Sequence, residues 1–270
     1  TLPSRGLGDV YKRQDIALQG VVGDVTTLSG LSINATDGDD GDIEITDIGD
    51  GTPAAGVTGA VSIGNANTAS LTLDGTRYNT DGTTIYEAVA GSGSIKLTGA
   101  NVSITTDNDA LTFDAGNIVL STAGTTTIGT GGGALQIDGT IDGTSSQAEN
   151  LTITTGAGSL TIGGTIGGTN PLTTLSIAGS GAGAIDLAGI GDSDTAGATG
   201  TTTVGNTTTT TLTLSGTIYK TDDSQTYVAK TGQNIDITDA ATFTTTNDAV
   251  AFNTAGVDLI NGNAGGAHTI

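Results

Sequence analysis

A short motif keeps returning along this chain. "LTLDG", "IKLTG", "VSITT", "LTFDAG", "LQIDG", "LTIGG", "LSIAG" and "IDLAG" each place two apolar residues at i and i+2 around a small polar one. Period two is the signature of a strand with one buried face. Gly, Asn and Asp interrupt these runs at short, regular intervals and mark turns. No segment carries the i, i+3, i+4, i+7 spacing of an amphipathic helix. The chain is therefore expected to be all-β and built of very short strands.

A slower rhythm overlies the fast one. "TRYNTDGTTIYEA" (Thr76–Ala88) returns far downstream as "TIYKTDDSQTYVA" (Thr217–Ala229). "AGVTG" (Ala55–Gly59) matches "AGATG" (Ala196–Gly200), and "ITTDNDALTFDAG" (Ile104–Gly116) matches "FTTTNDAVAFNTAG" (Phe243–Gly256) with one insertion. The chain divides on this pattern into 15–54, the end of one repeat, 55–195, a full repeat, and 196–270, the start of the next. No linker separates them, so 15–270 reads as one continuous body.

Strands this short cannot cover a broad, deep core. Two architectures can use them. In a parallel β-solenoid, two or three strands form a coil of roughly 20 residues and coils stack about 4.8 Å apart. The span 15–270 would then supply on the order of a dozen coils and a rod of roughly 55 Å. The alternative, pairs of immunoglobulin-like sandwiches, normally brings longer strands, a buried Trp or Tyr and inter-module linkers. Composition favours the solenoid: aromatics are 3%, Trp, Met and Cys are absent, and Gly and Thr number 45 and 54. The core must be thin and aliphatic.

The segment 1–14 stands apart. "SRGLGDVYKRQ" holds Arg5, Lys12 and Arg13, three of only seven basic residues. It resembles the translation of a sequencing-library adapter and is treated as foreign to the fold. Beyond it only Arg77, Lys96, Lys220 and Lys230 are basic, against 27 acids. A chain with a net charge of −21 repels phosphate backbones and anionic bilayers, so nucleic acid and membrane insertion are not expected. Zero Cys excludes disulfides and thiolate chemistry. No apolar run is long enough for a transmembrane helix, so none is expected.

The serial strand motifs over 15–270, with "NIVLSTAGTTTIGTGGGALQIDGTIDG" and "LTITTGAGSLTIGGTIGGTNPLTTLSIAG", resemble the shafts of large bacterial surface exoproteins. These are similar to filamentous-haemagglutinin-type adhesins and autotransporter β-helices. The resemblance implies a right-handed parallel β-helix and an extracellular, outer-membrane-associated location. It implies a stalk whose full-length protein attaches to a host or environmental surface, glycan or matrix. A carbohydrate-active β-helix (tailspike or lyase-like) and a surface-layer array protein are the alternatives.

No catalytic, cofactor-binding or metal-binding residue is expected. The acidic run Asp37–Asp50 could hold calcium through carboxylate oxygens, but it fits neither the helix–loop–helix calcium loop nor the β-roll nonapeptide, and reads as a solvated loop. The glycine clusters Gly129–Ala134 and Gly179–Ala184 precede strands, not helices, and read as turns rather than phosphate cradles. His268 is the only histidine and has no triad or metal partner nearby. Tyr78 with Tyr86, and Tyr219 with Tyr227, could grip a ligand, plug a wider coil once per repeat or cap a protruding hairpin at "NTDG" and "KTDD"; recurrence with their strands favours a structural role. The Thr runs 201–203 and 207–211 suggest ice-binding arrays, but their spacing is irregular and favours a plain β-shaft.

Overall fold

The structure is a computed structural model that describes residues 15–34, 41–49, 55–179, 183–254 and 260–262. The segment 1–14, His268, most of the Asp37–Asp50 acids (Asp37, Asp39, Asp40 and Asp50) and positions 180–182 lie outside them. Every described strand pairing is parallel, and no helix occurs among the described residues. Neighbours in sequence are not neighbours in a sheet; each strand pairs instead with strands about one coil away. The chain is a β-solenoid, and the sandwich arrangement is excluded.

Each coil visits three faces in a fixed order. Face 1 holds ten strands, from Leu31–Ile33 to Ile260–Gly262. Face 2 begins with Ile16–Val22 and continues through Gly41–Ile48, Thr68–Leu73, Ser94–Leu97, Asn117–Leu120 and Thr140–Asp142. It then narrows to single bridges, Ile141 to Ile166 to Ile190 to Tyr219, before reopening at Ile218–Lys220 and Thr242–Thr244. Face 3 runs from Arg77–Thr80 through Ser103–Thr106, Gly124–Gly129, Glu149–Thr154, Thr174–Ala178, Thr202–Gly205 and Gln225–Ala229 to Val250–Thr254. Strand Gly41–Ile48 is long enough to turn a corner and serve two faces, pairing Leu71 at Ile43 and Tyr78 at Ile48.

Registers on face 1 give the coil length directly. Leu31, Val61, Thr84, Leu111, Leu135, Leu160, Ile185, Leu212, Ile235 and Ile260 stack in one column. A coil therefore takes about 25 residues. The column defines nine coils, about 43 Å of shaft. The expectation of roughly 20 residues per coil and a dozen coils was too tight. Three faces plus three turns need the longer contour.

The i, i+2 apolar pairs form the core as anticipated. The column Phe113, Ile137, Ile162, Leu187, Leu214 and Ile237 lies two residues along from the first, and all six side chains are buried. Stacking similar rows lets each coil shield the one below. An aliphatic residue buried in this way contributes about 1.5–3 kcal/mol of transfer free energy. Turns are equally close-packed. At Gly131, with φ of +56°, an added Cβ would lie 1.5 Å from the Asp107 carbonyl oxygen; at Gly156, with φ of +55°, it would lie 1.5 Å from that of Gly131. The cluster Gly129–Ala134 is thus a corner between face 3 and face 1, as its position before "LQIDG" implied.

Polar side chains tie the coils together in one recurring pattern. Thr98 donates to Asp74 (2.8 Å), Thr105 to Asn79 (3.3 Å), Thr140 to Asn117 (3.0 Å), Thr174 to Asn150 (2.7 Å), Ser215 to Asp186 (2.6 Å) and Thr246 to Asp222 (3.0 Å). In all six the hydroxyl sits on the later coil and the Asx oxygen on the earlier one. Thr and Asx are abundant because each coil offers acceptors upward and donors downward.

Candidate functional site

The repeat places related chemistry at two points on the shaft. In the first copy, Ala55, Asn79, Thr80, Asp81, Thr105, Thr106 and Asp107 line an open polar groove of about 480 Å³. It lies at the corner leading from face 3 to face 1. In the second copy the matching residues Ala196, Lys220, Asp222 and Thr246 help line a groove of about 560 Å³. That one lies at the corner leading from face 2 to face 3. The same stretch of sequence therefore makes a groove twice, on different edges of the shaft.

Register explains the displacement. Val61–Gly64 is on face 1, whereas its counterpart Thr202–Gly205 is on face 3. Leu71 of face 2 corresponds to Leu212 of face 1, and Tyr78 of face 3 to Tyr219 of face 2. One repeat spans five coils and two further faces, which is not a whole number of turns in a three-faced body. Each copy begins one face away from its predecessor.

The two grooves differ in chemistry. Asp81 and Asp107 are exposed and their carboxylates have no hydrogen-bond partner among the described residues. In the second groove Asp222 accepts from Thr246, and Lys220 stands where the first copy has Asn79. The Lys220 ammonium donates to the Ser193 carbonyl at 3.0 Å. Amide donors from Thr195 and Asp194, with the Lys220 charge, hold the half-buried Asp192 carboxyl below the usual range.

Earlier coils also contribute Gln147 and Asn170 to the second groove. The corner before strand Glu149–Thr154 is built on two buried carboxylates. Asp142 accepts from the amides of Thr169 (2.9 Å) and Asn170 (3.2 Å). Burial pushes the Glu149 carboxyl up, but hydrogen bonds from the Thr144 hydroxyl and amide and the Ala148 amide outweigh it and leave the group below its ordinary value. These acids hold the turn that carries Gln147, whose φ of +52° is unusual for a residue with a side chain. Asp142 and Glu149 cap backbone amides, which makes them structural.

The tyrosines fill the core. Tyr78, Tyr86, Tyr219 and Tyr227 are all fully buried. Tyr78 and Tyr86 meet edge-on at 6.5 Å and Tyr86 stacks on Phe113 at 5.3 Å; Tyr219 and Tyr227 meet edge-on at 6.0 Å and Tyr227 stacks on Phe252 at 5.2 Å. The Tyr78 hydroxyl accepts from the Gly75 amide and donates to the Ile45 and Thr46 carbonyls. That of Tyr219 accepts from Gly216 and donates to Leu187. Desolvation drives all four phenols well above their ordinary pKa.

The Thr runs also resolve. Thr203 faces outward on face 3, Thr202 faces inward, Thr207–Thr210 forms a corner whose Thr209 is buried, and Thr211 opens the next face 1 strand. Among the described residues no group of three or more His, Cys, Asp or Glu side chains is arranged to hold a metal ion. Comparison with family models, curated proteins and solved structures gave no match.

Proposed function

We propose that this segment is a stalk of a large secreted or cell-surface bacterial protein of the adhesin kind. It holds a binding region of the full-length protein away from the cell and sits extracellularly, anchored at the outer membrane. The observation that carries this reading is the stack itself: nine coils follow one another with parallel registers and one continuous apolar core. Such a body resists bending because any bend must open a row of ladder hydrogen bonds. The acidic turns keep it soluble and apart from other acidic chains.

One observation favours a second reading. Asp81 and Asp107 line one groove from adjacent coils, and paired carboxylates can cleave glycosidic bonds. Such a pair needs one carboxyl held protonated by burial, and both of these are exposed. Among the described residues no aromatic side chain lines either groove.

Electron microscopy of concatenated repeats tests the stalk. Each added repeat should lengthen an unbranched rod by about 27 Å, five and two-thirds coils at the strand spacing. Beads separated by gaps would overturn it. Release of reducing ends from a polysaccharide panel, lost in Asp81→Asn, would establish the second reading instead.

A further inference from the structure

The coil Ile16–Ile33 has an internal twin. It matches Leu160–Ile177 without a gap, "GDVTTLSGLSI" standing against "GGTNPLTTLSI". Both twins bond to the following coil in the same way. Gly49 donates to the Val22 carbonyl and Gly191 to that of Ile166, each at 2.8 Å. Leu28 donates to Gly56 and Leu172 to Gly197, each at 3.0 Å, and Thr58 donates to Leu28 and Thr199 to Leu172, each at 2.8 Å. Gly23 and Gly167 make the same turn, with φ of +74° and +68°.

On their other edge the twins differ. The coil Leu135–Ile153 covers the internal one. Gly167 donates to the Ile141 carbonyl (2.7 Å), Thr169 and Asn170 to the Asp142 carboxylate (2.9 and 3.2 Å), and Thr173 to the Glu149 carbonyl (2.7 Å). The four matching amides, of Gly23, Val25, Thr26 and Ser29, donate to nothing among the described residues. Apolar cover is missing at the same positions: Leu172 is fully buried and Leu28 is 39% exposed. Val21, Val25 and Leu28 are the exposed large hydrophobics among the described residues, and all three lie on this one coil.

We infer that this edge of Ile16–Ile33 is the acceptor for one further coil from another repeat of the same protein. The partner has the chemistry of Leu135–Ile153: two apolar pairs, Leu135 with Ile137 and Leu151 with Ile153, and an aspartate set to cap two amides. Docking is strand addition to an open edge, in which ladder bonds give affinity and side-chain pockets give register. The aspartate selects the partner. A carboxylate on a pair of amides makes stronger bonds than a neutral acceptor, and a coil lacking it leaves the Val25 and Thr26 amides unpaired under cover. The inference deepens the stalk reading and rests on it: repeats join directly, each sheet running on into the next.

The test adds a synthetic peptide, Ala134–Thr154, to the full chain and follows amide hydrogen exchange by NMR. Exchange at Gly23, Val25, Thr26 and Ser29 should slow at least tenfold, and a scrambled peptide of the same composition should leave it unchanged. The peptide carrying Asp142→Ala should still slow Gly23 and Ser29 but lose its effect at Val25 and Thr26. Because the substitution is in the peptide, the fold of the chain is untouched. Unchanged exchange at saturating peptide, or equal slowing by the scrambled one, would overturn the inference. So would slow exchange at these four amides without peptide, whether residues 1–14 or a second copy supplies the cover. Failure here leaves the rod-length measurement standing, and beads in the micrographs would leave the exchange result standing.

Discussion

The two copies of the repeat fold alike and sit differently. Tyr78, Tyr86 and Phe113 in the first match Tyr219, Tyr227 and Phe252 in the second, and ring distances agree to within half an ångström. Yet every element of the second copy lies one face around from its counterpart. Local structure therefore belongs to the strand and its turn, and the three faces are interchangeable hosts. The tyrosine hydroxyl shows why: Tyr78 and Tyr219 each cap the glycine three residues earlier and a carbonyl on the preceding coil. Those partners arrive with any coil, whichever face it is on.

The copies part company where one side chain changes. Gln225 is buried, accepts from the Tyr227 hydroxyl at 2.7 Å and donates to the carbonyls of Tyr219 and Thr244. The first copy has Thr84 there, which turns to Thr80 (2.7 Å) and the Gly82 carbonyl. The Tyr86 hydroxyl is left buried with no partner among the described residues. The second copy also replaces Ile104 with Phe243, which stacks on Tyr219 at 4.9 Å and touches Tyr227 and Phe252.

The largest expected difference follows from those rings. Tyr227→Ala should cost about 3–5 kcal/mol and Tyr86→Ala less, because Tyr86 has two aromatic neighbours and no hydroxyl bond. Denaturant melts read this, and equal costs would dissolve the contrast. Next, Gln225→Thr should destabilise by about 1–3 kcal/mol by orphaning Tyr227. Tyr86→Phe should stabilise by about 1 kcal/mol, since it deletes an unpaired buried hydroxyl, while Tyr219→Phe should destabilise. A loss of stability in Tyr86→Phe would mean the hydroxyl has a partner after all.

The smallest effect is in pH. Glu149 is held below the ordinary glutamate value, so its stabilisation is full above the unfolded pKa and fades as pH falls through the folded one. Glu87 is pushed up by burial and by Asp114 directly opposite it on the next strand. Its ionised form therefore costs stability, and acidification through its folded pKa relieves that cost. Glu149→Gln should flatten the acid limb of a stability–pH curve, and Glu87→Gln should raise the plateau near neutrality. The same curve for both variants would refute the assignment.

Much of this was legible in the residues, because a period-two pair such as Leu111 and Phe113 buries itself in any solenoid. The parallel stack, the turn glycines and a structural role for the tyrosines followed; that the role is core filling rather than capping a hairpin came from their burial. Coil length did not. Ile166 and Ile190 each hold a face with a single bridge among glycines, and one apolar residue in "TIGG" or "AGIGD" carries no strand pattern. Without those positions the strands per repeat cannot be counted, and the rotation of the copies stays hidden.

A single distance tests the coaxial parallel register. Thr112 and Thr213 are far apart in sequence but four coils apart in one column of face 1. The chain has no cysteine, so Thr112→Cys with Thr213→Cys takes two spin labels cleanly. Dipolar spectroscopy should return a narrow distribution for a backbone separation of about 19 Å. A broad distribution, or one centred far beyond that length, would contradict the stack and everything built on it.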